Sequence, residues 1–412
     1  MRVTLALLSQ TAATKSIGAL GTFERHLYSA GCALNAGALV CPSENDIYLQ
    51  LQSLQAGSDA VVLLGYPASY SEVQAALSAF LCAENQHCEQ YERSLYEFLE
   101  ASGIKPAREH KKLCMLPPGT EVAELGGEIP AAAISSAYGS IFLLSDPNQL
   151  DALLPLLTGA DAQKLSAAHL KLFGLPRAAV LDQLTDTIRE YRRVADFFVY
   201  GSGLDVLLSV APRAKPTDKL AAVLVDDLLS SINTLFARYI YAGEDVSLAQ
   251  RLFELLKLRG KRISVAESLT GGMICSELIA LPGMSEVFFE GITAYDNGSK
   301  TGRLSVSPAT LKNYGAVSSE CAYEMAAGLL AGGQCSIAIS TTGIAGPSGA
   351  TAKKPVGLTY IGVGTPEAIH VFEHVFSGGR SQVRRNAADA AMFYCVQKLL
   401  RGDMRLTNIT IN

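Results

Sequence analysis

The residues of this 412-residue chain with the clearest chemical potential lie where two apolar runs end in small and hydroxyl side chains. At the first, Ala266-Glu267-Ser268-Leu269-Thr270-Gly271-Gly272, a hydroxyl leaves a strand and two glycines follow at the start of a helix. Glycines let a ligand approach the main chain, and the free N–H groups of a helix N-terminus suit an anion or an oxyanion. At the second, Thr341-Thr342-Gly343-Ile344-Ala345-Gly346-Pro347-Ser348-Gly349, glycines and hydroxyls could wrap a phosphate in the same manner. Taken alone, each is more often a tight turn, and Ser268 more often a helix cap. The Gly-Lys-Ser/Thr ending of a P-loop is missing, as is the three-glycine spacing of a dinucleotide fingerprint. Ser268 lacks the glycines two residues to each side that mark a nucleophile elbow. Cys82, His87 and Cys88 fit no common zinc spacing and have no second half, so no metal is assigned.

Three regions must position these residues. Residues 1–158 alternate apolar runs (Val3 to Leu8, Ala60 to Leu64, Ile141 to Leu144) with helical patterns (Ser71 to Leu81, Tyr91 to Ser102). That alternation predicts an α/β unit with a mostly parallel sheet. The stretch from Pro117 through Gly126-Gly127 reads as turns and short strands. Residues 159–246 carry a helix over Ala178 to Tyr191, a strand over Asp205 to Val210, a polar connector Pro212 to Thr217, and an amphipathic helix Lys219 to Ala237. This predicts a small α+β module. Residues 247–412 open with a helix that Gly260 can stop, then the strand Arg262 to Ala266 and the first junction. A strand over Val287 to Tyr295 follows, and then a helix capped by Ser318 with Glu320 in its first turn. Next come a short strand Ser336 to Ser340, paired strands Val356 to Val363 and Ile369 to Phe376, and a long helix Ser381 to Leu399. The fold class is α/β: three-layer α/β domains at both ends with a small α+β module between.

Composition excludes several classes. Hydrophobic residues are 49% and charged residues 18%, enough apolar chain for a sizeable core and against disorder. Lys+Arg 34 against Asp+Glu 39 gives a net charge of -5 without a long basic run, so direct nucleic-acid binding is not expected. No stretch reaches the ~18–20 uninterrupted apolar residues that span a bilayer, so no membrane partner is expected. Met1 to Leu8 reads as a buried strand rather than a signal peptide. Nine scattered cysteines without a CxxC pair suggest reduced thiols and a cytoplasmic location.

Further motifs extend the two junctions. Glu267-Ser268-x-Thr270-Gly271-Gly272, Tyr295-x-Asn297-x-x-Lys300, Gly315-Ala316-Val317-Ser318, Thr342-Gly343-Ile344-Ala345-Gly346-Pro347, Lys354-Pro355-Val356-Gly357 and Arg380-x-x-x-Arg384 occur in one order. Over about residues 247–400 this resembles the C-terminal domain of the competence/damage-inducible CinA family, the nicotinamide-nucleotide amidases. Upstream, residues 1–158 are similar to the family's molybdopterin-binding (MoaB/MogA-like) domain, and residues 159–246 to its middle domain. The first region is degenerate. Gly65-Tyr66-Pro67-Ala68-Ser69-Tyr70-Ser71-Glu72 stands where the family carries a Gly-Gly-Leu-Gly-Pro-Thr loop, and Ser9-Gln10-Thr11 stands for Gly-Asp-Glu. Leu143 to Gln149 likewise replaces a Leu-Pro-Gly-Val-Pro-x-Glu stretch. Those missing carboxylates would hold a divalent metal at a pyrophosphate. In the third region the family's usual Cys is Leu269, its Gly-Ser-Ser is Gly283-Met284-Ser285, and the Asp before the first Arg is Gly379.

The resemblance implies hydrolysis of the carboxamide of nicotinamide mononucleotide to nicotinic acid mononucleotide and ammonia, without a cofactor, in a homodimer. No His lies in the motifs, which disfavours a Ser-His-Asp triad. The implied site is a Ser/Lys dyad: Ser268 attacks, and Lys300, neutral through burial, takes its proton and later delivers one to ammonia. Ser285 and Tyr295 would relay the proton or orient Lys300, and which of Ser268 and Ser285 attacks is left open by sequence. Main-chain N–H groups from Thr270 through Gly271 to Gly272 would receive the oxyanion. Thr342 and the loop from Gly343 to Gly346 would hold the pyridine nucleotide, its phosphate included, with Arg380 the weaker candidate for the phosphate. The alternatives are a metal-dependent ADP-ribose pyrophosphatase in the first region, and a non-enzymatic scaffold linked to competence or recombination.

Overall fold

The computed structural model describes residues 2–8, 23, 27, 33–40, 43–66, 68–123, 125, 128–150, 152, 168–213 and 219–401. Ser9-Gln10-Thr11, Gly126-Gly127 and residues 214–217 of the connector lie outside the described residues. The protein is α/β, with separate sheets in successive stretches of the chain. Two compact units result, one of residues 1–167, 192–200 and 209–225, the other of 168–191, 201–208 and 226–412. They do not coincide with the three expected regions, because the middle region is shared. Within the second unit the reason is visible: Phe173, Leu204 and Tyr241 join the same buried cluster as the C-terminal helix, and Phe173 lies 5.1 Å from Phe393 between ring centroids.

The first unit holds β1 (Arg2–Leu8), β2 (Ala33–Val40), α1 (Glu44–Leu51), β3 (Ala60–Leu64), α2 (Tyr70–Leu81), β4 (Gln86–His87), α3 (Glu89–Ala101), α4 (Arg108–Leu113), β5 (Met115–Leu116), β6 (Glu121–Ala123), β7 (Ala131–Ser136) and β8 (Gly139–Leu144). Its main sheet has the order β2-β1-β3-β8-β7-β6. The β2-β1-β3-β8 part is parallel, and β8-β7-β6 is antiparallel. Core clusters on two sides draw alternate residues of the same strands: Val61 and Leu63 on one, Ala60, Val62 and Leu64 on the other. That is the signature of a sheet covered on both faces. The middle stretch carries β9 (Ala168–Phe173), α5 (Arg177–Tyr191), β10 (Ala195–Ser202), β11 (Asp205–Pro212), α6 (Lys219–Leu235) and β12 (Ile240–Ala242). In the second unit β12 pairs antiparallel with β9.

The remaining elements are α7 (Leu248–Arg259), β13 (Ile263–Glu267), α8 (Met273–Ile279), β14 (Phe288–Thr293), α9 (Asn297–Leu304), α10 (Pro308–Asn313), α11 (Ser319–Ala331), β15 (Ile337–Gly343), β16 (Leu358–Thr365), β17 (Ala368–Val375) and α12 (Arg380–Arg401). Their sheet runs β14-β13-β15-β16-β17. Strands β14, β13 and β15 are parallel, and β16 and β17 return antiparallel. One face carries α7, α8 and the alanine-rich α12; the other carries α9 and α11. All five β13 residues are buried, as a central strand between two helical layers requires. Ser318 caps α11 by accepting from the Cys321 N–H at 3.1 Å, and Gly260, at φ 58, ends α7. Strand β15 runs three residues past the expected end. Thr341, Thr342 and Gly343 pair with Ile361, Tyr360 and Thr359 instead of opening a loop. Two β-branched residues beside an open partner strand outweigh the loop-like composition.

Candidate active site

The C-terminal ends of β13 and β15 lie side by side, with Glu267 paired to Thr341. Brought together there is a cleft of about 170 Å³ lined by Ser268, Leu269, Tyr295, Lys300, Ala316, Val317, Thr342, Gly343, Ala345 and Arg380. Ser268 follows β13 directly. Its N–H donates to the Thr341 carbonyl at 3.0 Å, which fixes the serine at the strand end. Lys300 enters from α9. A helical side chain leans toward the N-terminus of its helix, and Nζ reaches back to the residues before α9. It donates to the carbonyls of Ala294 (2.8 Å) and Tyr295 (2.9 Å) and stands 3.1 Å from Ser268 Oγ.

Lys300 is 1% exposed. Burial lowers its pKa from the usual 10.5, and the opposing fields of Cys321 and Asp296 offset only part of that. The positive end of the α9 dipole also disfavours an ammonium there. The three contacts decide what the amine can do. A neutral amine has two hydrogens for the two carbonyls, and its lone pair then faces Ser268 Oγ, ready to accept the hydroxyl proton.

Glu267 is fully buried and caps α8 from within: Oε2 accepts from the N–H groups of Gly272 (3.0 Å) and Ile274 (3.2 Å), and Oε1 from Cys275 (2.9 Å). This corrects one expectation, because the Gly272 N–H is already taken and cannot receive an oxyanion. The main-chain N–H groups of Leu269 and Thr270, by contrast, make no hydrogen bond among the described residues. Gly271 and Gly272, at φ 62 and 90, supply the backbone turn between Ser268 and α8.

Two further expectations change. Ser285 lies in a 3₁₀ turn, Met284–Glu286, ahead of β14. Ile263 pairs with Phe288 and Glu267 with Thr293, so Ser285 is at the opposite end of the sheet from Ser268. At ~3.3 Å per residue that is about 15 Å of strand. It is exposed and does not line the cleft, which leaves Ser268 as the nucleophile candidate. Tyr295 does line the cleft, but its side chain is 67% exposed and it orients Lys300 through its carbonyl, not its hydroxyl.

The substrate-side residues divide similarly. Thr342 lines the cleft, yet its hydroxyl donates to the Ala316 carbonyl at 2.6 Å and so braces the opposite wall. Gly343 also lines it; a Cβ there would stand 2.5 Å from the Leu358 carbonyl oxygen, so only glycine fits. Gly346 is absent from the lining, and its carbonyl accepts from Arg380 Nη1 at 2.8 Å. That bond leaves the other guanidinium donors of Arg380 for a ligand at the cleft mouth.

Two cations given no role by sequence reasoning hold the walls. Lys354 Nζ donates to the carbonyls of Tyr314 (2.7 Å) and Val317 (2.6 Å), fixing the loop that supplies Ala316 and Val317. Arg384 Nε donates to Leu269 O (3.0 Å) and Nη2 to Thr270 O (2.8 Å). Both residues stand inside motifs of the sequence, but only the fold shows that they grip main-chain carbonyls. Among the described residues no group of three or more His, Cys, Asp or Glu is gathered as metal ligands are.

Comparison with known proteins gives the family. Residues 245–399 match the model of the CinA C-terminal domain. A competence-damage inducible protein of Caldicellulosiruptor saccharolyticus is 35% identical over 303 residues, covering 72% of this chain and 73% of that protein. A CinA-like protein of Kosmotoga olearia is 32% identical over 322 residues, 76% of each. Among solved structures, a competence/damage inducible protein of Agrobacterium tumefaciens is 34% identical, with a TM-score of 0.36, over 37% of this chain and 94% of that one. With two thirds of such relatives covered at this identity, the chain belongs to the CinA family.

Proposed function

We propose that this protein is a nicotinamide-nucleotide amidase that hydrolyses the carboxamide of nicotinamide mononucleotide to nicotinic acid mononucleotide and ammonia. The observation that carries the reading is the buried Lys300 amine 3.1 Å from Ser268 Oγ, with two carbonyls placed to accept both hydrogens of the neutral amine. Ser268 attacks the amide carbon as Lys300 takes its proton. The tetrahedral oxyanion is received by main-chain N–H groups of the Leu269–Thr270 turn. Lys300 then returns the proton to the departing ammonia, and water repeats the cycle on the acyl-serine ester.

The cleft volume supports a single aromatic ring as the buried part of the substrate. Its 170 Å³ is close to the roughly 150 Å³ cavity known to take up benzene. Ribose and phosphate would then lie at the mouth, where Arg380 has donors to spare. The test is release of ammonia and nicotinic acid mononucleotide from nicotinamide mononucleotide by the purified chain. Wild type should turn over without added metal, and folded Ser268→Ala should lose at least about 10³-fold in kcat, as loss of a nucleophile does. A folded Ser268→Ala protein at full activity would reject the reading.

A further inference from the structure

The amidase reading leaves open what makes the Leu269–Thr270 turn an oxyanion site, and the contacts of α12 answer it. Leu269 is 5% exposed and Thr270 fully buried, yet neither main-chain N–H has a partner among the described residues. Buried N–H groups without a partner are rare in folded proteins, and two in succession beside a nucleophile candidate call for a ligand oxygen. One belongs to the residue after Ser268, the position that supplies oxyanion donors in other serine hydrolases.

Peptide planarity ties the second of these donors, the Thr270 N–H, to Arg384. In a trans peptide the C=O and the next N–H point to opposite sides. Arg384 Nε holds Leu269 O at 3.0 Å, which sets the plane carrying the Thr270 N–H; Nη2 holds Thr270 O at 2.8 Å, which sets the plane after it. The guanidinium is a rigid fork, so both planes are fixed together. From the far side, Thr270 Oγ1 meets Thr341 Oγ1 at 2.7 Å, which pins the Thr270 side chain to β15. We infer that Arg384 is a positioning residue that aims the Thr270 N–H at the developing oxyanion and holds still the turn that begins at Leu269, without touching substrate itself. Its role is distinct from that of Arg380, one helical turn earlier, which lines the cleft.

The inference rests on the amidase reading, and the test separates the two. The full chain is treated with an alkyl fluorophosphonate probe. Ser268 Oγ forms a bond to phosphorus, the P–F bond breaks, fluoride leaves, and the serine proton goes to Lys300. The phosphoryl oxygen needs the same donors as an amide oxyanion. Arg384→Ala is expected to slow both labelling of Ser268 and kcat for ammonia release by about 10²–10³-fold, the cost of losing an oxyanion donor. KM should stay within about threefold, since ground-state binding does not use these donors. Guanidinium added to Arg384→Ala should restore part of the rate, and should do nothing for Ser268→Ala. Arg384→Lys, which reaches one carbonyl and carries the test if Arg384→Ala does not fold, should keep less than about a tenth of the rate. Arg385→Gln, which loses contacts to Glu277 of α8 and Asp389 of α12, should label at the wild-type rate. Labelling of Arg384→Ala or Arg384→Lys within about threefold of wild type, or a loss confined to KM, would overturn the inference alone. A wild-type chain that neither labels at Ser268 nor releases ammonia would overturn the amidase reading and this inference with it.

Discussion

Replacing Glu267 by glutamine tests how the site is built. The side chain keeps its shape but loses its charge and one acceptor. In the wild type three main-chain N–H groups converge on one buried carboxylate: Gly272 and Ile274 on Oε2, Cys275 on Oε1. The best a glutamine can do is place its amide oxygen where Oε2 stood and keep two bonds. The Cys275 N–H then faces an NH2 group and is orphaned, at a cost of about 1–3 kcal/mol. The two retained bonds each fall from the charged to the neutral range, and a partly buried charge at a helix N-terminus is worth up to about 2 kcal/mol. Together these give roughly 3–5 kcal/mol against the start of α8, which has only seven residues to absorb it. At about 1.4 kcal/mol per factor of ten, opening of this turn should become about 10²–10⁴-fold more frequent. Hydrogen exchange read on peptides covering Ser268 to Ala280 reports that opening directly. Glu267→Gln should raise exchange there and leave the β1–β8 sheet unchanged. An increase below about fivefold would show that the carboxylate is not what organises the turn between Ser268 and α8, and the account of the loop would fail.

Other outcomes follow from the same geometry. Lys354→Met removes both bonds to the 314–317 loop and should raise KM for nicotinamide mononucleotide by about tenfold with a smaller effect on kcat, measured by initial rates. Arg380→Ala should raise KM for the mononucleotide by about tenfold, the order of one charge-assisted contact, and leave hydrolysis of free nicotinamide unchanged. Asp389, half-buried on α12, has its pKa raised by desolvation to about 7 from 3.8. A raised folded value means the native state holds the extra proton, so this group's contribution to stability is intact below about pH 4 and is lost as pH climbs to about 7. Asp389→Asn should therefore raise the melting temperature more at pH 8 than at pH 5, and calorimetry at the two values checks it.

Much of the site was legible because its residues sit at the ends of strands that read clearly. Arg262 to Ala266 reads as a short strand that a helix start follows, and Ser268 stands two residues beyond its expected end. The Ser268–Lys300 approach was legible only through the motif order, since 32 positions separate the two and no local pattern links them. Ser285 misled for a related reason. A serine after Pro282-Gly283 says nothing about which end of the sheet it occupies; that is set by the parallel register of β13 and β14. The occupation of Gly272 by Glu267, five residues away, and the grips of Lys354 and Arg384 on main-chain oxygens 37 to 115 residues away are all contacts to backbone. Backbone atoms carry no sequence signal, so such partners appear only in three dimensions. Strands β9 and β10 were not read: in β9 His169 and Lys171 do alternate with Leu170 and Leu172 as a strand requires, but the run is only six residues long, while β10, ADFFVYGS, lacks that alternation.

The central claim is that Lys300 stands uncharged beside Ser268 and takes its proton. Titrating the Lys300 side chain by NMR, from the 13Cε and 15Nζ shifts of labelled protein, measures this without a substrate. The account predicts a midpoint below the ordinary lysine value of 10.5, with kcat/KM for ammonia release rising with pH through that same midpoint, because the neutral amine is the active form. A midpoint at or above 10.5 would mean that Lys300 is a charged structural donor, and would contradict the account.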